Sequence, residues 1–341
     1  MNQEQITVRW SALFFYEREM MSKKVICIGE ALIDFVCTDV GDTSADKGIY
    51  LRKPGGAPAN VSACIGRLGG KTEFLGAVGD DAFGDYLINT LKKFGVGTSG
   101  VQTVKVPTTL AFVTLQDDGE REFIFNRGAD AEFVTTECGD SHEPENAIFH
   151  FGSATAFLEG SLQDAYFSMA ERCQNNGSIV CFDPNYRVDL WQNRLDKFKA
   201  KCNAFFALAD VVKVSEEELA LLTGELKIPD GCSALHQLGA GVIFVTMGSK
   251  GCYLSTKQEA RTVPAFKINA IDTTGAGDAF IGAMLHRLAT FNSLDSMDFN
   301  ELTDAVTFAQ KVSAYVCEKV GAMTALPTET EVQSRELQVL G

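Results

Sequence analysis

The chain has 341 residues, of which 45% are hydrophobic and 22% are charged, and its formal net charge at pH 7 is −15. These values are typical of a soluble globular protein with one large α/β domain or two smaller ones. The acidic balance and the lack of a basic stripe argue against a nucleic-acid partner, and no apolar run is long enough to cross a membrane.

The first residues lack the pattern of a secretory signal. A short apolar patch at residues 12–16 lies between charged residues, and it is too short and too charged for a signal peptide. Met20 and Met21 directly precede the first strand-like run. We therefore predict that residues 1–21 form an extension outside the fold.

Short apolar runs alternate with helical patterns through most of the chain, which predicts a mainly parallel sheet with helices on both faces. The predicted strands are Lys24–Gly29, Thr72–Val78, Ala147–Gly152, Ser178–Asp183, Ala209–Val214 and Val242–Met247. The predicted helices are Ala59–Leu68, Phe83–Phe94, Ser161–Asn175, Asn193–Ala207, Cys232–Leu238, Ala276–Ala289 and Glu301–Val320.

Two stretches break this alternation, at about residues 31–53 and 107–130. Both contain strand-like runs, and in the second stretch Asp118 and Gly119 lie between two such runs, which is a strong signal for a hairpin. We predict that the two stretches form one small β-sheet that stands off the main sheet. Such a sheet would cover a ligand cleft or form a dimer contact.

The ten cysteines include no pair with C-x-x-C spacing, so no zinc or thioredoxin-type motif is present. Several of them lie in apolar runs, as Cys27 and Cys181 do. This usage favours small buried side chains in a reducing compartment, and we predict a cytoplasmic protein.

One glycine pattern suggests a dinucleotide site but lies in the wrong context. Gly95–Gly100 fits G-x-G-x-x-G, a fingerprint that requires a strand before it and a helix after it. Here a helical pattern comes before it and the strand-like Val101–Val106 comes after it. The glycines therefore fit the end of a helix better than a dehydrogenase cofactor site.

The run Asp272–Asp278 lies between the strand-like Val263–Asn269 and an amphipathic helix. Gly275–Gly277 supplies backbone N–H groups with little side-chain bulk at the start of that helix, where anions bind well. Asp278 falls in the first helical turn, and there it suits a base that accepts a hydroxyl proton. For so short a run, a glycine turn with a capping aspartate is the alternative.

A second glycine-rich loop, Gly55–Asn60, also precedes a helix. Gly55 and Gly56 allow the backbone to approach a ligand closely, Pro58 suits the first helical turn, and the Asn60 amide both donates and accepts hydrogen bonds. Taken alone, this loop is an ordinary helix start.

Together the two loops resemble the two signatures of the ribokinase-like (PfkB) carbohydrate kinases, most closely the fructokinases. The resemblance runs from about Lys24 to about Thr330. It implies a three-layer α/β/α sandwich with a mainly parallel central sheet and a small β-sheet lid, with the kinase domain at residues 22–331 and a C-terminal tail at 332–341. Further segments that carry it are Gly29–Asp34, Phe125–Asp130, Asp183–Arg187, Lys213–Gly224 and Val245–Gly248.

The resemblance also implies roles for individual residues. Asp278 would be the catalytic base, with Gly275, Ala276 and Gly277 as the anion hole. The sugar would be bound by Asp34, Gly55, Gly56, Asn60, Arg127 and Arg187. The nucleotide would be bound by Lys213, Ser215, Thr246, Gly248, Gly251 and Gly277.

For metals, the resemblance implies Mg²⁺ held through water by Glu218, with Ser215 standing where many relatives have asparagine. It also implies a K⁺ site at Asp272, Thr274 and Gly321, although Ala325 stands where some relatives have serine. The implied partners are ATP and a sugar, together with a second copy of the chain through the lid.

The implied activity is transfer of the ATP γ-phosphate to the primary hydroxyl of a sugar, D-fructose first. The alternatives keep the fold and change the substrate to ribose, 2-keto-3-deoxygluconate, a nucleoside or aminoimidazole riboside. A further alternative is a catalytically silent sugar-binding regulator, which the intact base and glycines disfavour.

Overall fold

The computed structural model describes residues 22–40, 48–115, 121–135 and 145–340. The predicted extension at 1–21 and the predicted turn at Asp118 and Gly119 lie outside these residues. Among the helices that are described, none is both long and apolar enough to span a bilayer.

Thirteen strands and ten α-helices are found in the described residues. The strands are β1 (Val25–Ile28), β2 (Leu32–Val40), β3 (Tyr50–Gly55), β4 (Thr72–Gly79), β5 (Val101–Val104), β6 (Leu110–Leu115), β7 (Arg121–Asn126), β8 (Ile148–Phe151), β9 (Ile179–Phe182), β10 (Val211–Ser215), β11 (Val242–Thr246), β12 (Cys252–Ser255) and β13 (Ala260–Val263). The helices are α1 (Ala57–Arg67), α2 (Ala82–Lys93), α3 (Ser161–Asn175), α4 (Val188–Trp191), α5 (Leu195–Phe206), α6 (Glu216–Thr223), α7 (Ile228–Leu238), α8 (Ala276–Leu288), α9 (Phe299–Cys317) and α10 (Glu329–Ser334).

The large sheet has the strand order β13-β12-β11-β10-β9-β8-β1-β4-β5. Strands β11 to β5 in this order are parallel, and β12 and β13 add an antiparallel edge. All six predicted strands of the main sheet are confirmed. They are buried on both faces, and for that reason their sequences are almost continuously apolar.

Two apolar clusters cover the two faces of this sheet. One packs the sheet against α1, α2, α8, α9 and α10, and the other packs it against α3, α5, α6 and α7. The three-layer α/β/α architecture is confirmed, and each predicted helix is present with its ends shifted by a few residues. The described cysteines are all buried, as the apolar runs around them predict.

The small sheet, called the lid below, has the order β3-β2-β6-β7. Strands β2 and β6 pair in parallel, whereas β3 and β7 pair antiparallel with their neighbours. The two predicted stretches thus form one separate sheet, as expected.

One strand prediction, Val263–Asn269, is wrong. Strand β13 ends at Val263, and beyond it Phe266 makes only an isolated bridge with Val339. The ladder stops where Pro264 follows, because proline has no backbone N–H to donate. At the other end of the chain, α10 crosses the predicted domain end at residue 331, and its Val332 is buried. The domain limits themselves stay a prediction.

Candidate active site

The N-terminus of α8 forms an open cluster of backbone N–H groups. Gly275 caps this helix with a left-handed backbone (φ +76°), and a Cβ there would lie 2.4 Å from the Cβ of Ala322. Any larger residue would therefore strain the backbone and collide with the opposite loop. The N–H groups of the first helical turn have no intrahelical acceptor, and a helix start of this kind suits an anion, although Ala276 N already donates to the Thr273 carbonyl at 3.2 Å.

The carboxylate of Asp278 joins the two glycine motifs. Its Oδ2 accepts a hydrogen bond of 2.8 Å from Asn60 Nδ2, although the two residues are 218 positions apart in sequence. Burial raises the pKa of Asp278 above its usual range, against the opposing effects of the Asn60 hydrogen bond and of the positive charges of Arg187 and Lys213. A carboxylate with a raised pKa is a better proton acceptor than an exposed one.

Asp34 lies directly above the second glycine loop. A Cβ on Gly55 would lie 2.0 Å from Asp34 Oδ2, and a Cβ on Gly56 (φ +98°) would lie 2.4 Å from the carbonyl oxygen of Glu30. Both glycines are therefore required for the lid strands to approach α1. The buried Asn60 Oδ1 accepts no hydrogen bond from the described residues, so this acceptor is available for a hydroxyl group.

A buried ion pair lies beside the anion site. Lys213 Nζ is 3.0 Å from Asp183 Oδ2, and both side chains are at most 10% exposed. Burial alone would lower the pKa of Lys213, but the charges of Asp183, Glu218 and Asp278 outweigh it and raise the pKa, so the ammonium stays charged. A Cβ on Gly277 would lie 3.3 Å from Lys213 Nζ, which places this positive charge next to the anion site.

Glu218 is held by backbone donors. Its Oε1 accepts from Tyr186 N at 2.8 Å and its Oε2 from Ser215 N at 2.9 Å, while Ser215 Oγ accepts from Glu218 N. This capping box fixes the start of α6. Each carboxylate oxygen of Glu218 already accepts one backbone hydrogen bond, so only its remaining lone pairs can bind another group. Such a carboxylate suits contact with Mg²⁺ through water, and the described residues contain no cluster of three or more His, Cys, Asp or Glu side chains that could hold a metal.

The predicted K⁺ residues Asp272, Thr274 and Gly321 lie together. Asp272 Oδ1 accepts from Thr274 N at 2.9 Å and from Thr274 Oγ1 at 2.5 Å, and Asp272 Oδ2 accepts from Gly321 N at 2.9 Å. The carboxylate therefore ties the anion loop to the loop after α9. The hard oxygen atoms gathered here suit an alkali or alkaline-earth cation.

A cavity of about 460 Å³ opens next to the anion site. Four of the residues predicted to bind nucleotide lie on its wall, namely Thr246, Gly248, Gly251 and Gly277. Lys213 and Ser215 lie on β10 outside this lining. The wall also includes residues that the sequence patterns did not indicate: Ala265, Phe266, Lys267, Ile268, Gln310, Ser313, Ala314 and Leu340.

The two predicted sugar-binding arginines have different surroundings. The guanidinium of Arg187 donates to the Tyr186 carbonyl at 2.9 Å and is close enough to Asp278 to lower its pKa. Arg127 Nε instead donates to Asp130 Oδ2 at 3.0 Å, and its Nη1 donates to the Glu159 carbonyl. Arg127 thus supports the base of the lid, and its contact with a sugar stays a prediction.

A buried polar network, which we call the hinge network, connects the lid to the body. The chain passes between body and lid four times, near Glu30, Gly56, Thr109 and Gly128. The members of the network are Glu30, Ala57, Thr109, Gly128, Asp130, Ser153 and Thr155.

Two carboxylates in the network join the crossings in pairs. Glu30 Oε1 accepts from Ala57 N at 3.1 Å, which joins the first and second crossings, and Asp130 Oδ1 accepts from Thr109 Oγ1, which joins the third and fourth. Thr155 in the body donates to Asp130 Oδ2 at 2.7 Å and lies 3.5 Å from Glu30 Oε2. Glu30 and Asp130 are fully buried, and no sequence pattern indicates this role for either of them.

Glu30 is expected to make stability depend on pH. Burial raises its pKa from 4.5 to about 7, against hydrogen bonds from Ser153 and Ala57 that lower it. Since the folded protein holds this proton more tightly than the unfolded chain, the stabilisation is complete below pH 4.5 and is lost as the pH rises through 7.

The matching experiment is urea unfolding of the wild type and Glu30→Gln at pH 5 and pH 8. We expect the free energy of unfolding to fall between these pH values by about 1–3 kcal/mol more in the wild type than in the variant. The exposed Glu259→Gln is the control and should behave like the wild type. If the free energy of unfolding depended on pH equally in all three proteins, the raised pKa of the buried Glu30 would be contradicted.

Comparisons with known proteins agree with this geometry. The sequence profile described as pfkB family carbohydrate kinase matches residues 22–329. Fructokinase-1 of Oryza sativa subsp. japonica is 39% identical over 315 residues, which cover 91% of this chain and 97% of the relative.

Two solved structures extend the comparison to the fold. The fructokinase of Xylella fastidiosa with bound ATP has a TM-score of 0.82 and 34% identity, and the alignment covers 92% of this chain and 98% of that one. The aminoimidazole riboside kinase of Salmonella enterica, complexed with aminoimidazole riboside and an ATP analogue, has a TM-score of 0.79 and 30% identity, with 91% and 98% covered. The chain has two glycine loops that meet at Asp278 and a lid of four strands, and it matches these proteins over most of its length. The chain therefore belongs to the pfkB family of carbohydrate kinases.

Proposed function

We propose that this protein is an ATP-dependent fructokinase, which transfers the γ-phosphate of ATP to the primary hydroxyl of D-fructose. The observation that carries the proposal is the meeting of Asp278, Asn60 and the first turn of α8 beside a cavity of about 460 Å³. This arrangement supports the proposed proton acceptor, hydroxyl-binding amide and anion site, because all three lie close together. The fructokinases that match over nine tenths of the chain support fructose as the sugar.

Each group in the cleft has a chemical task in this proposal. Asp278 accepts the proton of the sugar hydroxyl, and the N–H groups of Gly275–Gly277 with Lys213 balance the charge on the phosphoryl group during transfer. Asp34, the Gly55–Gly56 backbone and Asn60 hold the sugar from the lid side. Positioning and electrostatics supply the rate, and no covalent enzyme intermediate is needed.

The proposal includes Mg²⁺, with Glu218 reaching it through water, and K⁺ bound at Asp272, Thr274 and Gly321. When bound, Mg²⁺ would neutralise charge on the phosphate oxygens. The residues themselves keep the two loops in place: Glu218 holds the Tyr186 and Ser215 amides, and Asp272 holds the Thr274 and Gly321 amides.

A substrate panel with ADP detection tests the proposal. Purified protein is assayed with MgATP and fructose, glucose, ribose, 2-keto-3-deoxygluconate and aminoimidazole riboside, each with K⁺ and with Na⁺ in its place. We expect the highest kcat/KM with fructose and a higher rate in K⁺. No ADP formation above background with any sugar would refute the kinase assignment, and a clear preference for another sugar would refute fructose.

The second candidate is an aminoimidazole riboside kinase. The match to the Salmonella enterica enzyme over nearly the same length favours it. Both activities use the same base and anion hole, so they differ only in the groups that line the sugar side of the cleft. The ratio of kcat/KM for the two substrates in the same panel decides between them.

We also propose that two copies of the chain associate through their lids in the cytoplasm. The lid carries apolar side chains that are more than one third exposed, namely Tyr50, Leu51 and Ile124. Exposed apolar side chains on a small sheet favour association. Sedimentation of the wild type and of Tyr50→Glu with Ile124→Glu, two positions on the same face of the lid, tests this, because a dimer joined by that face would dissociate in the double variant.

A further inference from the structure

The segment that follows α10, Arg335–Leu340, ends at the cavity, with Leu340 on the cavity wall. Lys267 N donates to the Gln338 carbonyl and Leu340 N donates to the Ala265 carbonyl, each at 2.8 Å. Between these two hydrogen bonds lies the antiparallel bridge of Phe266 with Val339. The segment is thus attached as a short strand to the stretch that follows β13.

This attachment brings one side chain to the cavity. Leu340 lies on the cavity wall together with Ala265 and Phe266, whereas Val339 is 50% exposed and is not part of the lining. Phe266 itself is only 6% exposed. The wall formed here is apolar and suits the face of a flat aromatic ring.

The same cavity also reaches the N-terminus of α8. Gly277 and Ala276 also line it, and they belong to the helix start that binds anions. A nucleotide whose phosphates lie there would extend its base away from α8. Among the lining residues, the N-terminus of α8 suits the phosphates, whereas the apolar stretch with Leu340 suits the base.

A side chain farther up the segment fixes its start. The guanidinium of Arg335 pairs with Glu318 Oε2 at 2.5 Å and lies 5.1 Å from the Tyr315 ring centre. Both partners belong to α9 or to its C-cap, so the segment is held at its beginning by an ion pair and at its end by the backbone bridge. Arg335 lies outside the family match at residues 22–329, and its partners Glu318 and Tyr315 lie inside it.

We propose that Leu340, held in place by the segment Arg335–Leu340, forms part of the wall of the nucleotide-base pocket and sets how tightly the protein holds the nucleotide. The inference rests on the proposed use of ATP. By linkage, a bound nucleotide stabilises the docked segment as much as the docked segment stabilises the bound nucleotide. The segment takes no part in phosphoryl transfer, so its loss changes binding and not the chemical step.

The test compares Leu340→Ser with Val339→Ser, its neighbour on the exposed side. Calorimetric titration with MgADP measures binding directly and needs no turnover. We expect Leu340→Ser to raise the Kd for ADP by about tenfold. Val339→Ser should stay within about twofold of the wild-type Kd, since its side chain does not reach the cavity.

A second readout follows the segment itself. Hydrogen exchange of the Lys267 and Leu340 amides should slow when MgADP binds the wild type, because both amides donate to the paired strand. A Leu340→Ser protein with wild-type ADP affinity, or no change in exchange on binding, would overturn the inference. A wild type that does not bind ADP at all would instead count against the proposed kinase function.

Discussion

Replacing Asp278 by Asn should lower kcat by about 10²–10⁴-fold, the usual contribution of a general base. The Asn side chain keeps the size of the carboxylate and its contact with Asn60, but it cannot accept the sugar proton. The measurement is kcat by ADP release, combined with calorimetric titration of MgADP. We expect the affinity for ADP to change by less than about threefold, since the N–H groups of α8 remain in place.

The chain offers a matched control for this variant. Asp85 is an exposed aspartate in the first turn of α2, so Asp85→Asn makes the same chemical change near the start of another helix, away from the cleft. It should leave kcat at the wild-type value. Turnover of Asp278→Asn within a few-fold of wild type would refute Asp278 as the base.

The second large effect is expected on stability. Replacing Lys213 by Met removes the partner of Asp183 and leaves a carboxylate buried beside Asp278. An unpaired buried charge destabilises a fold by about 3–5 kcal/mol. Urea unfolding of the variant measures this loss. The double variant Lys213→Met with Asp183→Asn should recover part of it, because the remaining group is neutral.

The exposed pair of Lys250 and Glu216 is the control for Lys213. Its N–O distance is also 3.0 Å, but the two side chains are 68% and 36% exposed. Lys250→Met should therefore change the free energy of unfolding by less than about 1 kcal/mol. If Lys213→Met were no more harmful than Lys250→Met, the ion pair with Asp183 would not contribute to stability as its burial implies.

Sequence patterns predicted the main sheet and the centre of the site for physical reasons. Parallel strands that are covered on both faces need continuous apolar runs, so β1, β8 and β10 can be predicted from the sequence alone. The Gly55–Asn60 and Asp272–Asp278 loops are readable because only glycine tolerates the backbone at Gly56 and Gly275. Their contact through Asn60 and Asp278 is long-range, and it required the fold.

Other parts of the site have no local signal. The antiparallel hairpin of β12 and β13 is short, and its outer strand is largely exposed, so no clear alternation marks it. The hinge network combines one or two residues from each of five separate segments. The cavity wall at Leu340 depends on a backbone bridge between residues 266 and 339, which no spacing rule indicates.

The hinge network has a consequence for exchanging lids between relatives. A chimaera that replaces only residues 31–53 and 110–126 would keep Glu30, Asp130 and the Ser153 and Thr155 donors from this protein. The introduced strands would then connect to the body at four junctions whose residues come from this protein and not from the donor of the strands. If the junction residues of the donor are transferred together with the lid, the hydrogen bonds between lid and junctions are those of the donor protein. Sugar preference in such chimaeras should therefore follow the junctions together with the lid, and exchange of lid side chains alone should transfer it poorly.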